Sequence, residues 1–227
     1  MLKKFATVAA LGFIAVVAPA NTSNWNTAVV EADGGHRFGN PDAKLQLIEF
    51  VSYTCPHCAH FSKDGDGALQ LAFVGPGKIT RDIRHIVRDP VDLTAAMLAN
   101  CGAPAKFLQN HNAFMLSQDK WLPLMSKASP AQIQRWTTGD YAARRRSIAS
   151  DFGFYAIMER RGYRRTDTDR CLADDKMATR LTENTQKSYA RYNLSGTPSF
   201  AINGVTLAGT HSWSALEPQL KARLVSK

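Results

Sequence analysis

The chain has 227 residues, of which 44% are hydrophobic, 9% aromatic and 21% charged. This composition is typical of a globular protein and excludes an intrinsically disordered chain or a coiled coil. The formal net charge of +9 favours acidic partners in general but identifies no particular class of ligand.

The first twenty residues have the pattern of a secretory signal peptide. Lys3 and Lys4 precede an uncharged, mainly apolar run over 5–20, and the small residues at 18–20 match a cleavage site. The run is shorter than the roughly 20 apolar residues that a transmembrane helix needs. We therefore expect the mature chain to be exported.

The next segment, 21–43, is rich in Asn, Thr, Gly and Asp without clear periodicity, and we predict an extended N-terminal arm that ends in a turn at 39–41. Both alternate faces of 44–53 are largely apolar, which predicts a strand that is buried on both sides of a sheet. This strand is the clearest in the sequence.

A helix and a second strand follow. Pro56 favours the start of a helix over about 56–71, because proline at the first helical position sacrifices no hydrogen bond. The segment 79–87 has Ile79, Ile83 and Val87 on one face, as in a strand. This order predicts a βαβ unit over 44–90.

Only helical patterns are found over 91–193, which predicts an inserted helical domain with helices at 91–100, 105–116, 130–136, 141–161 and 174–192. Strand patterns return at 199–202 and 205–207, on either side of an Asn-Gly pair that predicts a hairpin. A closing helix follows, with capping-box spacing between Ser214 and Glu217 and an apolar face formed by Leu216, Leu220 and Leu224. Residues 194–227 therefore complete the sheet as a ββα part.

A C-x-x-C motif lies where the first strand ends and the helix begins. Cys55 would lie at the helix N-terminus, where unpaired N–H groups and the positive end of the macrodipole stabilise a thiolate. His57 can add a nearby positive charge or a hydrogen-bond donor. A stabilised thiolate favours the reduced pair, so the motif predicts a redox-active, oxidising disulfide between Cys55 and Cys58.

Two other uses of the motif are weaker. A structural zinc site usually needs a second Cys or His pair, and Cys101 and Cys171 each stand alone. A purely structural Cys55–Cys58 disulfide would close too short a loop to remove much entropy from the unfolded chain. We therefore expect no metal ligands and no bound cofactor, because the Cys55–Cys58 disulfide is itself the redox agent.

These features together resemble the exported thiol:disulfide oxidoreductases of the DsbA type, in the thioredoxin superfamily. The resemblance covers about 45–224 and includes the helical block and the following residues: Glu49, Cys55-Pro56-His57-Cys58 and Gly196-Thr197-Pro198. It implies an α/β thioredoxin fold with an inserted helical domain, which agrees with the order of elements predicted above.

The resemblance also implies roles for three residues. Pro198 would be a cis-proline that faces the disulfide, and Thr197 would offer backbone groups to an extended substrate chain. Glu49 is similar to the family's acid beneath the active site, where a raised pKa would let it take the proton of Cys58. The sequence alone also permits an ordinary trans Pro198 and a solvated Glu49 at a sheet edge.

Cys101 and Cys171 leave two interpretations open. They are either two separate buried side chains or a second disulfide, and the latter requires Cα atoms within about 7 Å. The arginines of the insertion are interpreted as a solvated helical face, and no nucleic-acid site is expected: Arg144, Arg145, Arg146, Arg160, Arg161, Arg164 and Arg165.

The resemblance implies a monomeric periplasmic enzyme that donates its disulfide to reduced, unfolded exported proteins. A membrane partner of the DsbB type, linked to quinone, would reoxidise it. Thr197 departs from the Val of the family's oxidase prototype, so a reductase or isomerase kept reduced by a membrane reductant is an alternative. The segment 21–43 is too short for the dimerisation domain of familiar exported isomerases. A thioredoxin-like chaperone or binding module with an idle cysteine pair is a third reading.

Overall fold

The computed structural model describes residues 25–32 and 34–225, so the predicted signal peptide and its cleavage site lie outside the described residues. The strands are β1 (Val29–Ala32), β2 (Gly35–Gly39), β3 (Leu45–Val51), β4 (Ile79–His85), β5 (Ser199–Ile202) and β6 (Val205–Thr206). The helices are α1 (Pro56–Leu69), α2 (Pro90–Ala99), α3 (Phe107–Leu116), α4 (Gln118–Trp121), α5 (Pro130–Thr137), α6 (Tyr141–Asp151), α7 (Phe154–Arg160), α8 (Arg165–Leu172), α9 (Asp175–Tyr192) and α10 (Trp213–Val225).

The strands form one mixed sheet in the order β1-β2-β4-β3-β5-β6. β3 and β4 are parallel and are connected through α1, whereas the other neighbouring strands are antiparallel. On β3, Leu47 packs into the main core and its neighbour Ile48 packs on the opposite face with Tyr192 of α9. Successive side chains of a strand point to opposite faces, so both sides of the central strand are covered, as predicted.

The extended-arm prediction for 21–43 is wrong in its secondary structure. β1 and β2 pair as an antiparallel hairpin, and β2 then pairs with the outer side of β4 over most of its length, from Gly35 opposite Arg84 to Gly39 opposite Thr80. The strands are short, and Gly35 and Gly39 hide the period-two pattern that would reveal β2. The hairpin therefore extends the sheet.

The predicted helical character of the insertion is confirmed, because α2 to α9 all lie between β4 and β5. The single helix predicted over 141–161 is wrong: α6 ends at Asp151 and α7 starts at Phe154, with Gly153 between them at φ +69°. This left-handed conformation favours glycine and cannot continue a helix. Among the described residues, no helix has both the length and the apolar character that a bilayer crossing requires.

The C-terminal part agrees with its predicted order. Asn203 and Gly204 join β5 to β6 with φ angles of +49° and +82°, as in the tight turn that Asn-Gly favours. The predicted capping box between Ser214 and Glu217 is wrong. The hydroxyl of Ser212 instead accepts a hydrogen bond of 3.3 Å from the backbone of Ala215, and α10 starts at Trp213.

A disulfide joins Cys101, just after α2, to Cys171 in α8, and its Cα atoms are 5.7 Å apart. The structure thereby decides between the two interpretations of these cysteines. The disulfide connects the start of the insertion to a helix near its end. It therefore closes most of the helical domain into a loop.

The solvated-face interpretation of the arginines is wrong for Arg145, which is 6% exposed. Its Nη1 atom donates to the carbonyl of Leu172 at 3.0 Å and lies 2.8 Å from a carboxylate oxygen of Asp175. Arg145 thus connects α6 to the start of α9. Arg164 fits the solvated interpretation, because its side chain is exposed. It occupies the N-cap position of α8 and pairs with Asp167 in the first turn of that helix.

Loss of the Cys101–Cys171 disulfide should destabilise the fold. A crosslink between positions 70 residues apart removes unfolded-chain entropy equivalent to about 4 kcal/mol in the chain-entropy treatment. In a background with Cys55→Ser and Cys58→Ser, we expect Cys101→Ala/Cys171→Ala to lower the free energy of unfolding in urea by about 2–5 kcal/mol. Reductant should lower the urea midpoint of the parent only. Equal midpoints for parent and variant would contradict this role.

Candidate active site

The tight turn after β3 places Cys55 at the N-cap of α1. The backbone N–H of Cys55 donates to the carbonyl of Ser52 at 3.2 Å, and Cys55 itself is extended, with φ −99° and ψ 114°. Pro56 occupies the first turn, and the N–H groups of Cys58 and Ala59 donate to the Cys55 carbonyl at 3.1 and 3.3 Å. The structure thus places the motif at the strand-to-helix junction that the sequence predicts.

The two cysteines of the motif are free thiols with different surroundings. Cys55 is 3% exposed and its Sγ atom donates to the carbonyl of Thr197 at 3.1 Å. Cys58 is fully buried, and its Sγ atom accepts a hydrogen bond of 3.5 Å from the N–H of Ser52. A partner can therefore reach the first sulfur more easily than the second.

The pKa of the Cys55 thiol is lowered from 9.0 to about 5. The largest cause is a hydrogen bond from the Cys58 thiol, which outweighs the opposing effect of burial. Hydrogen bonds from Thr197 and from the Cys58 backbone lower the pKa further, as does the positive charge of Arg88. At neutral pH Cys55 is therefore a thiolate, the nucleophilic form of cysteine.

The pKa of Cys58 moves in the opposite direction. Burial raises it well above 9.0, and the hydrogen bond and negative charge of Cys55 raise it further. Cys58 therefore stays protonated while Cys55 is ionised. Because each sulfur shifts the pKa of the other, the pair behaves as a unit with one reactive atom.

The loop before β5 faces this pair. The peptide bond between Thr197 and Pro198 is cis, and the Thr197 carbonyl is the group that accepts from Cys55 Sγ. Pro198 is buried, and its carbonyl oxygen lies 2.7 Å from Nδ1 of His211. The structure thus brings both residues of the predicted substrate-binding pair to the motif.

His57 lies on the exposed side of the first turn of α1. Within the described part of the chain, its ring forms no hydrogen bond or ion pair. Its neighbour Pro56 is exposed as well. Both residues belong to the surface around Cys55 that an incoming chain would meet.

Glu49 is fully buried on β3, so the solvated-edge alternative is wrong. Its Oε2 atom accepts from Arg81 of β4 at 2.9 Å and 2.6 Å, and Arg81 also binds Asp66 of α1 at 2.5 Å. Burial raises the pKa of Glu49 to about 7; the charge of Arg81 lowers it and that of Asp66 raises it. The buried cation is shared by two carboxyl groups.

A second buried acid holds the turn that leads to Cys55. Asp92 of α2 is 1% exposed and accepts hydrogen bonds from the N–H of Tyr53 at 2.8 Å and the hydroxyl of Ser52 at 2.6 Å. Burial raises the pKa of Asp92 to about 7. From the other side, Gln118 donates to the carbonyl of Cys55 at 2.9 Å. The backbone around the reactive sulfur is fixed from two helices.

The sequence prediction missed the partners of the site residues. Arg81 was recognisable, because it lies between Ile79 and Ile83 on the apolar face of a strand, where a charge needs a buried partner. Nothing in the sequence pattern singles out Asp92 or Gln118. Their positions depend on how the inserted helices pack.

The site is a dithiol that can form a disulfide. Among residues 25–32 and 34–225, no group of three or more His, Cys, Asp or Glu side chains is placed to hold a metal ion. The low pKa of Cys55 keeps its sulfur ionised at neutral pH and makes it a good leaving group in thiol exchange. The arrangement can therefore carry out thiol-disulfide exchange.

This chain is similar to several known proteins, including two with solved structures. The crystal structure of a protein-disulfide isomerase from Novosphingobium aromaticivorans has 49% sequence identity and a TM-score of 0.83, covering 86% of this chain and 100% of that one. The structure of alpha-DsbA1 from Wolbachia pipientis, at 18% identity and a TM-score of 0.68, covers 88% of this chain and 96% of that one. At this identity the likeness shows the fold.

Another is a Rickettsia typhi protein that is provisionally named a protein-disulfide oxidoreductase. It is 30% identical over 168 residues, which are 74% of this chain and 54% of that protein, so the chain spans about half the length of the curated relatives it matches. The sequence profile of the thioredoxin family matches residues 31–222. The chain therefore belongs to the thioredoxin family, and it has the DsbA-like form of the fold, with helices inserted between β4 and β5.

Proposed function

We propose that this protein is a thiol:disulfide oxidoreductase that donates its Cys55–Cys58 disulfide to reduced, unfolded exported proteins. The observation that supports this most is the opposite shift of the two thiol pKa values, downward to about 5 for Cys55 and upward for Cys58. The names of the Novosphingobium and Rickettsia relatives, isomerase and oxidoreductase, support the same chemistry.

In the proposed reaction, a substrate thiolate attacks Sγ of Cys55 in the oxidised pair. The Cys55–Cys58 bond breaks, a mixed disulfide forms, and Cys58 leaves as a thiolate that takes up a proton. A second substrate thiolate then attacks the substrate sulfur of the mixed disulfide and releases Cys55 as a thiolate. Two electrons have passed from the substrate to the cysteine pair, and the substrate has gained one disulfide.

Glu49, Thr197 and Pro198 have supporting roles in this proposal. Glu49 exchanges a proton with Cys58, and a pKa of about 7 suits that task at neutral pH. The carbonyl of Thr197 lies 3.1 Å from Sγ of Cys55 and accepts a hydrogen bond only from the protonated thiol. When Cys55 is a thiolate or part of the disulfide, this carbonyl is offered to the backbone of the substrate chain. Pro198 keeps this loop against the pair.

The pKa of Cys55 indicates how strongly the reduced form of the cysteine pair is favoured, and therefore how oxidising its disulfide is. A pKa of about 5 for Cys55, compared with about 7 in thioredoxin, favours the reduced pair at pH 7 by about 2.3 kcal/mol, or about 50 mV. Added to thioredoxin's roughly −270 mV, this gives about −220 mV, whereas DsbA is near −120 mV. The pair is thus more oxidising than thioredoxin, though the thiolate alone does not reach the potential of DsbA.

We further propose that the protein acts as a monomer in the periplasm, after removal of the 1–20 signal peptide. A membrane oxidase of the DsbB type, linked to quinone, would return the Cys55–Cys58 pair to the disulfide. No bound cofactor takes part, because the disulfide carries both electrons.

A second candidate function is disulfide isomerisation by the reduced pair. It is favoured by the name of the Novosphingobium relative, at 49% identity, and by the Thr197 residue before the cis-proline. An isomerase attacks existing disulfides with the Cys55 thiolate and needs a reductant to stay active.

A binding module with an idle pair would keep its activity in a Cys55→Ser variant, whereas either enzyme would lose it.

Titration of the reduced protein should show one cysteine with a pKa of about 5. The thiolate is followed by its ultraviolet absorbance, and the low-pH transition should be absent from Cys55→Ser, which is the control for assignment. A lowest thiol pKa near the ordinary 8.5 would contradict the proposed activation of Cys55.

Activity on ribonuclease separates the two enzyme candidates. For the potential itself, measured in glutathione buffers, we expect a value more oxidising than the roughly −270 mV of thioredoxin, because the Cys55 thiolate favours the reduced pair. The oxidase predicts rapid oxidation of reduced ribonuclease and poor rescue of scrambled ribonuclease. The reverse pattern of activities would establish the isomerase instead.

In a Cys58→Ser variant, the Cys55 thiolate should attack disulfides of exported proteins, release one substrate sulfur as a thiolate and form mixed disulfides. The serine cannot attack Sγ of Cys55 to release the bound chain, so these intermediates should accumulate and migrate as larger, reductant-sensitive species in gel electrophoresis. The matched Cys55→Ser variant retains only the buried sulfur and should trap almost nothing. Equal trapping by the two variants would contradict attack at Cys55.

A further inference from the structure

A second cavity, of about 690 Å³, takes no part in the proposed reaction. It lies between the connection after β4, the start of α2, the helices α5 and α6, and α9. We propose that it binds a small amphipathic carboxylate, with the apolar body in the cavity and the charged group on Arg88 and Arg144. Neither Cys55 nor Thr197 lines this cavity.

The floor of the cavity suits an apolar body. Trp136, Ile148 and Ala178 line it and are themselves 8%, 1% and 5% exposed, and Leu93 of α2 completes the apolar lining. Cavities of roughly 300–1,000 Å³ with mainly apolar walls and a few polar groups are typical of small-molecule sites. The volume is therefore adequate for a medium-length alkyl chain.

The acidic residues of the lining already have partners. Asp89 accepts from the N–H groups of Val91 and Asp92 as the N-cap of α2. Asp175 pairs with Arg145 at 2.8 Å, and Glu183 pairs with Lys187 at 3.6 Å. The charges of Asp175 and Glu183 are therefore each offset by a cation, whereas Asp89 keeps its negative charge and uses both carboxylate oxygens for hydrogen bonds to the backbone and to Thr54.

The two remaining arginines of the lining differ in this respect. Within the described ranges, neither Arg88 nor Arg144 forms an ion pair with a carboxylate. The Nε atom of Arg144 is buried and has no hydrogen-bond acceptor among those residues, and its guanidinium lies 5.0 Å from the ring centre of Tyr141. A buried donor without an acceptor is costly, and a carboxylate would satisfy it with a charge-assisted hydrogen bond.

Arg88 connects this cavity to the active site. Its Nε atom donates to the hydroxyl of Ser52 at 2.8 Å, and its Nη2 atom donates to the hydroxyl of Thr54 at 3.2 Å. Both residues lie in the turn before Cys55, whose thiolate the charge of Arg88 helps to stabilise. A carboxylate on Arg88 would neutralise part of that charge, so ligand binding would make Cys55 less acidic and the disulfide less oxidising. This regulatory step rests on the proposed function, whereas binding itself does not.

Decanoate is a suitable probe, and decanol is its uncharged counterpart. Calorimetry of the reduced full-length protein should show one saturable decanoate site and weaker binding of decanol by about tenfold or more. Arg144→Gln should weaken decanoate binding by a similar factor. Arg146→Gln is the matched control, because it removes the same charge from the same helix at a position outside the lining. Thr179→Trp, at an exposed lining position, should block the cavity without disturbing the core.

Several results would overturn the site. The first is the absence of saturable decanoate binding, and the second is equal affinity for decanol and decanoate. The third is an Arg144→Gln or Thr179→Trp variant that is folded by circular dichroism and binds decanoate as tightly as the parent protein. The calorimetric decanoate titration is repeated in the Cys55→Ser/Cys58→Ser variant, so that the measured affinity does not depend on thiol chemistry.

The coupling to Cys55 has its own readout. Saturating decanoate should raise the thiol pKa of Cys55 in the parent and in Arg146→Gln, and should leave it unchanged in Thr179→Trp. An unchanged pKa under proven saturation would overturn the coupling. A Cys55 pKa already near 8.5 without ligand would instead refute the proposed function. The decanoate affinities would still test the binding site, because they do not depend on the pKa of Cys55.

Discussion

The chemistry of this protein depends on two sulfur atoms that lie one helical turn apart in different surroundings. Cys55 occupies the N-cap position of α1 with its Sγ atom 3.1 Å from the Thr197 carbonyl, whereas Cys58 is fully buried under the turn. Hydrogen bonding to one sulfur and burial of the other move their pKa values apart. The difference between the two pKa values depends on the position of the backbone at the turn. Asp92 and Gln118, from the inserted helices, hold that backbone in place.

The core beneath the pair contains a positive charge shared by two acids. Arg81 binds both Glu49 and Asp66 in a region without solvent access, so two negative charges there would exceed the single positive one. Burial and Asp66 keep the pKa of Glu49 near 7, which places an exchangeable proton inside the fold. Removing Arg81 would leave buried carboxylates without compensation, a change that costs about 3–5 kcal/mol for a typical buried pair.

The sequence predicted the features that depend on local pattern. The central strand, the Cys55 junction and the Asn203-Gly204 hairpin follow from alternation, from proline at a helix start and from a turn dipeptide. The features that depend on tertiary packing were missed: Asp92 beneath the turn and β2 against β4 have no periodic signal. The break at Gly153 was a local signal, but the apolar residues on both sides concealed it.

The N-terminal hairpin covers a strand edge that would otherwise be open to pairing. Without β2, the long outer side of β4 would expose backbone groups that any extended polypeptide could pair with. The strands that remain at the margins are β1, which has four residues and the charged Glu31, and β6, which has only two. Such margins discourage strand annealing and edge-to-edge aggregation.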